Sequence, residues 1–159
     1  MTSLPMLLPE TIAMRGAAAA QPAIGPIPQK TAPTILWVDD DAGVRNSVAR
    51  VLATEGMHVV MARGAKDALD HIDRNPTDLV VTDLCMAPLT GWDLILHLRY
   101  HHPKLPIIVV TALSPQTAGV AKRDAVAFFQ KPLDLDALLD AIRNQFRRAG
   151  FSPNAAAQS

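Results

Sequence analysis

The chain has 159 residues, 49% of them hydrophobic, enough for one domain with a full core and hardly enough for two. Its 15 Lys and Arg balance 15 Asp and Glu, so no net field draws it to nucleic acid or to an anionic membrane. The single cysteine, Cys85, excludes an internal disulfide and any multi-cysteine metal site, in keeping with a reducing cytoplasm, and no apolar stretch reaches the roughly 18 residues of a membrane-spanning helix.

Residues 1–33 read as a flexible Pro- and Ala-rich tail. They hold six of the 13 prolines, an alanine run at 17–20, and only Glu10, Arg15 and Lys30 as charges, a composition that resists packing. Pro5 and Pro9 interrupt the early apolar residues and no basic cluster precedes them, which argues against a secretory signal. At most, residues 6–14 offer a short docking helix. Residues 150–159 read as a second tail, leaving 34–149 as the folded domain.

Within that domain, short apolar runs alternate with stretches of helical spacing. The run at 34–38 ends in Asp39, Asp40 and Asp41, and Val44, Val48, Val51 and Leu52 then recur at helical spacing up to Gly56. A second strand is expected at 57–61, then a helix marked by Ala65, Ala68, Leu69 and Ile72 and closed near Asn75 and Pro76. A third strand at 78–82 leads through Asp83 into a loop bearing Pro88, and Trp92, Ile95 and Leu98 mark a helix from Gly91 to about His101. Strands at 105–110 and 126–130 follow, and Leu135, Leu138, Leu139, Ile142 and Phe146 stripe a last helix that Asp134 can cap. Between those strands, 115–124 has Gly119 at its centre and is expected to form only a short or frayed fourth helix.

Five strands alternating with helices predict an α/β three-layer sandwich, with parallel pairing, right-handed crossovers and a sheet covered on both faces. In such a sheet the carboxyl ends of all strands share one edge. Asp39 and Asp40 end strand one, Asp83 ends strand three, Thr111 ends strand four and Lys131 ends strand five. Carboxylates gathered at one edge repel by about 3 kcal/mol per close pair at an effective dielectric near 20, so the set calls for a cation. All-oxygen donors select a hard ion, Mg²⁺, with Mn²⁺ as the alternative. With Lys131 as a fixed positive charge and the Thr111 hydroxyl as a donor, Asp83 is placed to attack a phosphoryl group and form an aspartyl phosphate.

These residues resemble the receiver domains of two-component response regulators over roughly residues 33–148, since the motif elements occur in order with compatible spacing. The resemblance implies a flavodoxin-like five-stranded sheet of order 2-1-3-4-5. It also implies an acidic pair, Asp39 and Asp40, that holds the metal, with Asp83 as phosphoacceptor and the Cys85 backbone carbonyl as a further ligand. Thr111 is similar to the family's switch hydroxyl, Phe128 to its switch aromatic and Lys131 to its site lysine, with Lys131-Pro132 a cis peptide. Ala87-Pro88 departs from the family's Met-Pro, so the loop 86–90 is expected to differ. The interval from Thr111 to Lys131 is slightly short and lacks a glycine before strand five, so the fourth helix is expected to differ too.

By that resemblance the phosphoryl donor is a phosphohistidine on a sensor histidine kinase or a histidine phosphotransfer protein. With no room for an output domain after Gly150, the domain is expected to signal through a protein partner or relay, without direct contact to nucleic acid or membrane. The face made by the fourth helix, fifth strand and fifth helix is a candidate homodimer surface. Such a domain is not a turnover enzyme, catalysing only its own phosphorylation and dephosphorylation. Two alternatives stand beside this reading. A phosphatase similar to the haloacid dehalogenases would use Asp39 of the Asp-x-Asp in 38–41, but Gly43 stands where that motif expects Thr or Val, and no later acidic pair is found. A receiver-like scaffold without phosphotransfer is favoured only if Ala87-Pro88 distorts the loop.

Plainer roles are expected elsewhere. Asp41 reads as a helix cap, the Val44, Val48 and Val51 stripe and Trp37 as core, and Trp92 as partly exposed. His101 and His102 point different ways from adjacent helical positions and read as a solvated helix end.

Overall fold

The computed structural model describes residues 32–151, so the reading of 6–14 and nearly all of both tails lie outside the described residues. In chain order the elements are β1 (Thr34–Val38), α1 (Ala42–Thr54), β2 (His58–Ala62), α2 (Ala65–Ile72), β3 (Leu79–Thr82), α3 (Gly91–His101), β4 (Ile107–Thr111), α4 (Pro115–Ala118), α5 (Val120–Asp124), β5 (Ala127–Gln130) and α6 (Leu135–Arg148). All four strand pairings are parallel, in the order β2-β1-β3-β4-β5. The α/β sandwich and its strand order are those expected.

Every residue of β1, β3 and β4 is buried, because successive side chains alternate between two helical layers. Leu36, Val38, Val80 and Val109 pack with Ala68, Ile72, Leu94 and Leu98 of α2 and α3. Ile35, Trp37, Val81 and Val110 pack on the other face with Val48 and Leu52 of α1 and Leu138, Ile142 and Phe146 of α6. Each fully buried Leu or Ile stabilises the fold by about 1.5–3 kcal/mol. Coverage of both faces fails at the edges, where β2 leaves His58 and Met61 exposed and β5 is only partly buried, since the helices lie over the middle of the sheet.

Local chemistry sets the boundaries. Asp41 caps α1, its Oδ1 accepting from the N–H of Gly43 and Val44, and such a cap contributes about 1 kcal/mol. Thr90 and Asp93 form a reciprocal capping box at the start of α3, and Asp134 accepts from Ala137 N–H at the start of α6. β2 begins one residue later than expected because the Met57 N–H closes α1 by donating to the Leu52 carbonyl. β4 begins at Ile107 because Leu105 N–H is taken by the His102 carbonyl and Pro106 has no N–H to give. The expected fourth helix is two fragments, α4 and α5, broken at Gly119, whose φ of +50° suits glycine alone.

Candidate functional site at the carboxyl edge of the sheet

β1 lies between β2 and β3, so the chain crosses in opposite directions after β1 and after β3, opening a crevice between their carboxyl ends. Asp39 follows β1 and Asp83 follows β3. Their backbones continue the strand network, with Asp39 N–H donating to the Ala62 carbonyl at 3.2 Å and Asp83 N–H to the Val38 carbonyl at 3.0 Å. Both are buried, Asp39 1% and Asp83 7% exposed. Isolated carboxylates so buried would be costly to ionise, so each must have partners.

The partner they share is Lys131, which follows β5. Its Nζ donates to Asp83 Oδ2 at 2.9 Å and to Asp39 Oδ2 at 3.0 Å. Burial pulls the lysine pKa down, but the hydrogen bonds to Asp83 and Asp39, with their charges, outweigh it and hold Lys131 above its ordinary value. The remaining carboxylate oxygens are held by the backbone, Asp83 Oδ1 by Cys85 N–H at 3.0 Å and Asp39 Oδ1 by Asp41 N–H at 2.9 Å. Asp83 is thus gripped at both oxygens by donors from different elements, which fixes its orientation.

The surrounding backbone is pinned from several sides. Arg45 of α1 donates to the Asp39 carbonyl at 2.6 Å, and Thr82 Oγ1 donates to the Asp83 carbonyl at 2.8 Å. Lys131 N–H donates to the Thr111 carbonyl at 2.8 Å, tying the ends of β4 and β5 together. In the loop after Asp83, Leu84 and Met86 are buried, Cys85 and 87–89 are exposed, and Gly91 N–H closes the loop onto the Leu84 carbonyl at 3.0 Å. Lys131-Pro132 is cis as the family resemblance implies, and Ala87-Pro88 is cis as well.

Of the residues expected at the site, Asp39, Asp83 and Lys131 are in direct contact. Asp40 is exposed beside Asp39, and Thr111 is fully buried at the end of β4, its Oγ1 accepting from Leu113 N–H at 3.4 Å. Phe128 is paired across from Val109 and packs, partly buried, on the α2–α3 side of the sheet. Among the described residues no hydrogen bond joins the side chains of Asp40, Thr111 or Phe128 to the Asp39–Lys131–Asp83 trio. Arg45 and Gly91 belong to the architecture of the site but escaped attention as functional groups. Nothing in the sequence reports that Arg45 turns back to a carbonyl six residues earlier.

Among the described residues no three His, Cys, Asp or Glu side chains are gathered at metal-ligand spacing. The donor chemistry nevertheless fits a hard cation. Asp39 and Asp83 are two buried carboxylates sharing one ammonium, so the pair keeps an uncompensated negative charge, with exposed Asp40 adding another. Oxygen donors of that kind suit Mg²⁺ or Mn²⁺.

A sequence profile of the response regulator receiver domain matches residues 35–143, and the chain belongs to that family. It is similar to the response regulator MprA of Mycobacterium sp. (strain KMS), 40% identical over 116 residues, 72% of this chain and 50% of that protein. The transcriptional regulatory protein GlrR of Escherichia coli K12 is 34% identical over 110 residues, 68% of this chain and 25% of GlrR. The chain therefore spans about half or less of the length of these relatives. Among solved structures, a response regulator receiver protein from Pseudomonas putida superposes with a TM-score of 0.68 at 33% identity, over 71% of this chain and 97% of that one. The response regulator TrrA of Thermotoga maritima, in complex with Mg²⁺-BeF, gives 0.67 at 25% identity, over 71% and 98%. Neither the phosphatase nor the inert-scaffold alternative gains support from these likenesses. No helix among the described residues is long and apolar enough to cross a membrane.

Proposed function

We propose that this receiver domain accepts a phosphoryl group on Asp83 from a phosphohistidine of a sensor histidine kinase or histidine phosphotransfer protein. It then signals by phosphorylation-controlled protein binding or by passing the group onward. The observation that carries this reading is the ammonium of Lys131 shared between Asp83 and Asp39. It offsets part of the negative charge of the two buried carboxylates, and it stands where a transferred phosphoryl group will need a counter-charge.

An Asp83 carboxylate oxygen forms the new P–O bond as the donor's P–N bond breaks, and the imidazole leaves with the electron pair and takes up a proton. Cys85 N–H and Lys131 orient the carboxylate before attack, so little reorganisation is left for the transition state. Lys131 then pairs with the transferred group, and the buried Thr111 hydroxyl, whose proton has no acceptor among the described residues, turns toward it. Mg²⁺, or Mn²⁺ in its place, bound by Asp39, Asp40, Asp83 and the Cys85 carbonyl, would neutralise charge on the phosphoryl oxygens. The Mg²⁺-BeF complex of TrrA supports that choice of ion. Phe128 answers by repacking, since it has no hydroxyl to bond with. The domain performs only its own phosphorylation and dephosphorylation, in the cytoplasm, with the surface of α4, α5, β5 and α6 as a candidate homodimer face.

The test is incubation with acetyl phosphate and Mg²⁺, followed by intact mass. Wild type gains one phosphoryl group, Asp83→Asn gains none, and Asp39→Asn is labelled more slowly. Equal labelling of Asp83→Asn, or loss confined to Asp39→Asn, would move the chemistry to another carboxylate.

A further inference from the structure

We propose that His97 and His101 of α3 form a second metal site, for a divalent cation of the Zn²⁺ class, separate from the carboxylates at the sheet edge. The two residues are four apart on one helix, a spacing that stacks side chains one turn above the other on the same face. Their rings are in contact, with centroids 4.3 Å apart and planes inclined by 34°. His97 is partly buried and His101 exposed, so an ion held at their ring nitrogens remains open to water.

The chemistry of the pair selects its ligand. Imidazole nitrogen suits Zn²⁺, Cu²⁺ and Ni²⁺, whereas Mg²⁺ prefers oxygen, so the histidine pair has no use for the Mg²⁺ that the carboxylates take. Two histidines at this helical spacing are the pair that helical zinc motifs use. Among the described residues no third His, Cys, Asp or Glu completes a cluster, so the ion has two protein ligands with water in the other positions.

Adjacency in the sequence draws the eye to His101 and His102, which is the wrong pair. His102 is the C-cap of α3, with φ −132° and ψ 61°, and has already left the helix. A structural reason alone could place a cationic or aromatic residue at 101, since it lies at the negative end of the helix and edge-on to Tyr100, 4.8 Å between centroids. That reason does not require His97 to lean onto His101, and it gives metal no part.

Equilibrium dialysis of the full chain against Zn²⁺, with excess Mg²⁺ present throughout to cover the carboxylate site, separates the two. Wild type, Asp83→Asn and His102→Ala should each bind one Zn²⁺ with the same affinity. His97→Ala and His101→Ala should each weaken it at least about tenfold, since even the loss of an outer-shell partner weakens metal binding 10–100-fold. Zn²⁺ should also raise the melting temperature of wild type but not of the two α3 variants, a readout that checks folding at the same time. Absence of Zn²⁺ binding, unchanged affinity in both α3 variants, or an equal loss in His102→Ala would overturn the proposal.

Discussion

A Cβ placed on Gly91 would fall 2.0 Å from the carbonyl oxygen of Asp83, so the first turn of α3 packs directly on the backbone that carries the central carboxylate. The same Cβ would meet Leu84 Cα at 2.7 Å, and neither obstacle is a flexible side chain. Gly91→Ala must therefore push α3 off the loop or distort the Asp83 peptide. Overpacking of this kind costs about 1–3 kcal/mol, and urea unfolding should show the loss together with slower phosphorylation by acetyl phosphate. Stability within about 0.5 kcal/mol of wild type, the range of a neutral surface change, would contradict the close approach.

Lys131→Ala removes the ammonium that pairs with both buried carboxylates. Breaking a buried pair costs about 3–5 kcal/mol. Lys131 keeps 25% of its side-chain surface, so about 2–3 kcal/mol is expected in chelator. Adding Mg²⁺ should shrink that deficit, because a cation held by the freed carboxylates stabilises the folded state by mass action. Urea titrations of wild type and variant, with and without Mg²⁺, measure the difference. A deficit independent of Mg²⁺ would contradict a shared role for Asp39 and Asp83 in holding the ion.

Most of this architecture was legible in the residue pattern, for a physical reason. Strands buried on both faces are written as uninterrupted apolar runs, and a parallel sheet brings their carboxyl ends together, so Asp39, Asp83 and Lys131 could be grouped from positions 44 and 48 residues apart. Asp41 and Asp134 as caps were equally readable, since each precedes its first helical turn. Contacts that depend on a side chain turning back were not. Arg45 reaching the Asp39 carbonyl and Arg99 reaching Asp124 leave no periodic mark. Gly91 was readable as the start of a helix, but the reason it must be glycine needs the distance to Asp83. The His97–His101 pair was hidden by the more conspicuous doublet beside it.

Asp93 gives a pH signature to the start of α3. Its carboxylate accepts from the hydroxyl and backbone N–H of Thr90, and these bonds hold its pKa below the ordinary 3.8. Because the folded-state pKa is depressed, the stabilisation is present above the unfolded value and is lost as pH falls through the folded one. Asp93→Ala should accordingly melt below wild type at neutral pH, with the gap closing as pH drops beneath 3.8. A gap that stays constant across that range would assign the effect to something other than the capping carboxylate.

Arg99 joins α3 to the segment after β4. Its guanidinium donates twice to the Asp124 carbonyl, at 2.9 and 3.2 Å, and to the carbonyls of Pro103 and Leu105 at 3.2 and 2.9 Å. The α4–α5 segment has only nine helical residues in two pieces, so this anchor carries much of its order. Arg99→Ala should lower stability by about 2 kcal/mol, since charged hydrogen bonds contribute about 1.5–3. Hydrogen exchange should quicken in 115–125 before it does in β1 or β3. Uniform quickening across the sheet would contradict a local anchor.

Mapping the modified residue tests whether Asp83 is the phosphoacceptor. Protein phosphorylated by acetyl phosphate in Mg²⁺ is reduced with borohydride, which converts an aspartyl phosphate to homoserine, and the peptides are sequenced by mass spectrometry. Homoserine should appear at position 83 and nowhere else, and not at all when the phosphodonor is omitted. Homoserine at 39 or 40, or a phosphoryl group on a residue that borohydride leaves intact, would contradict it.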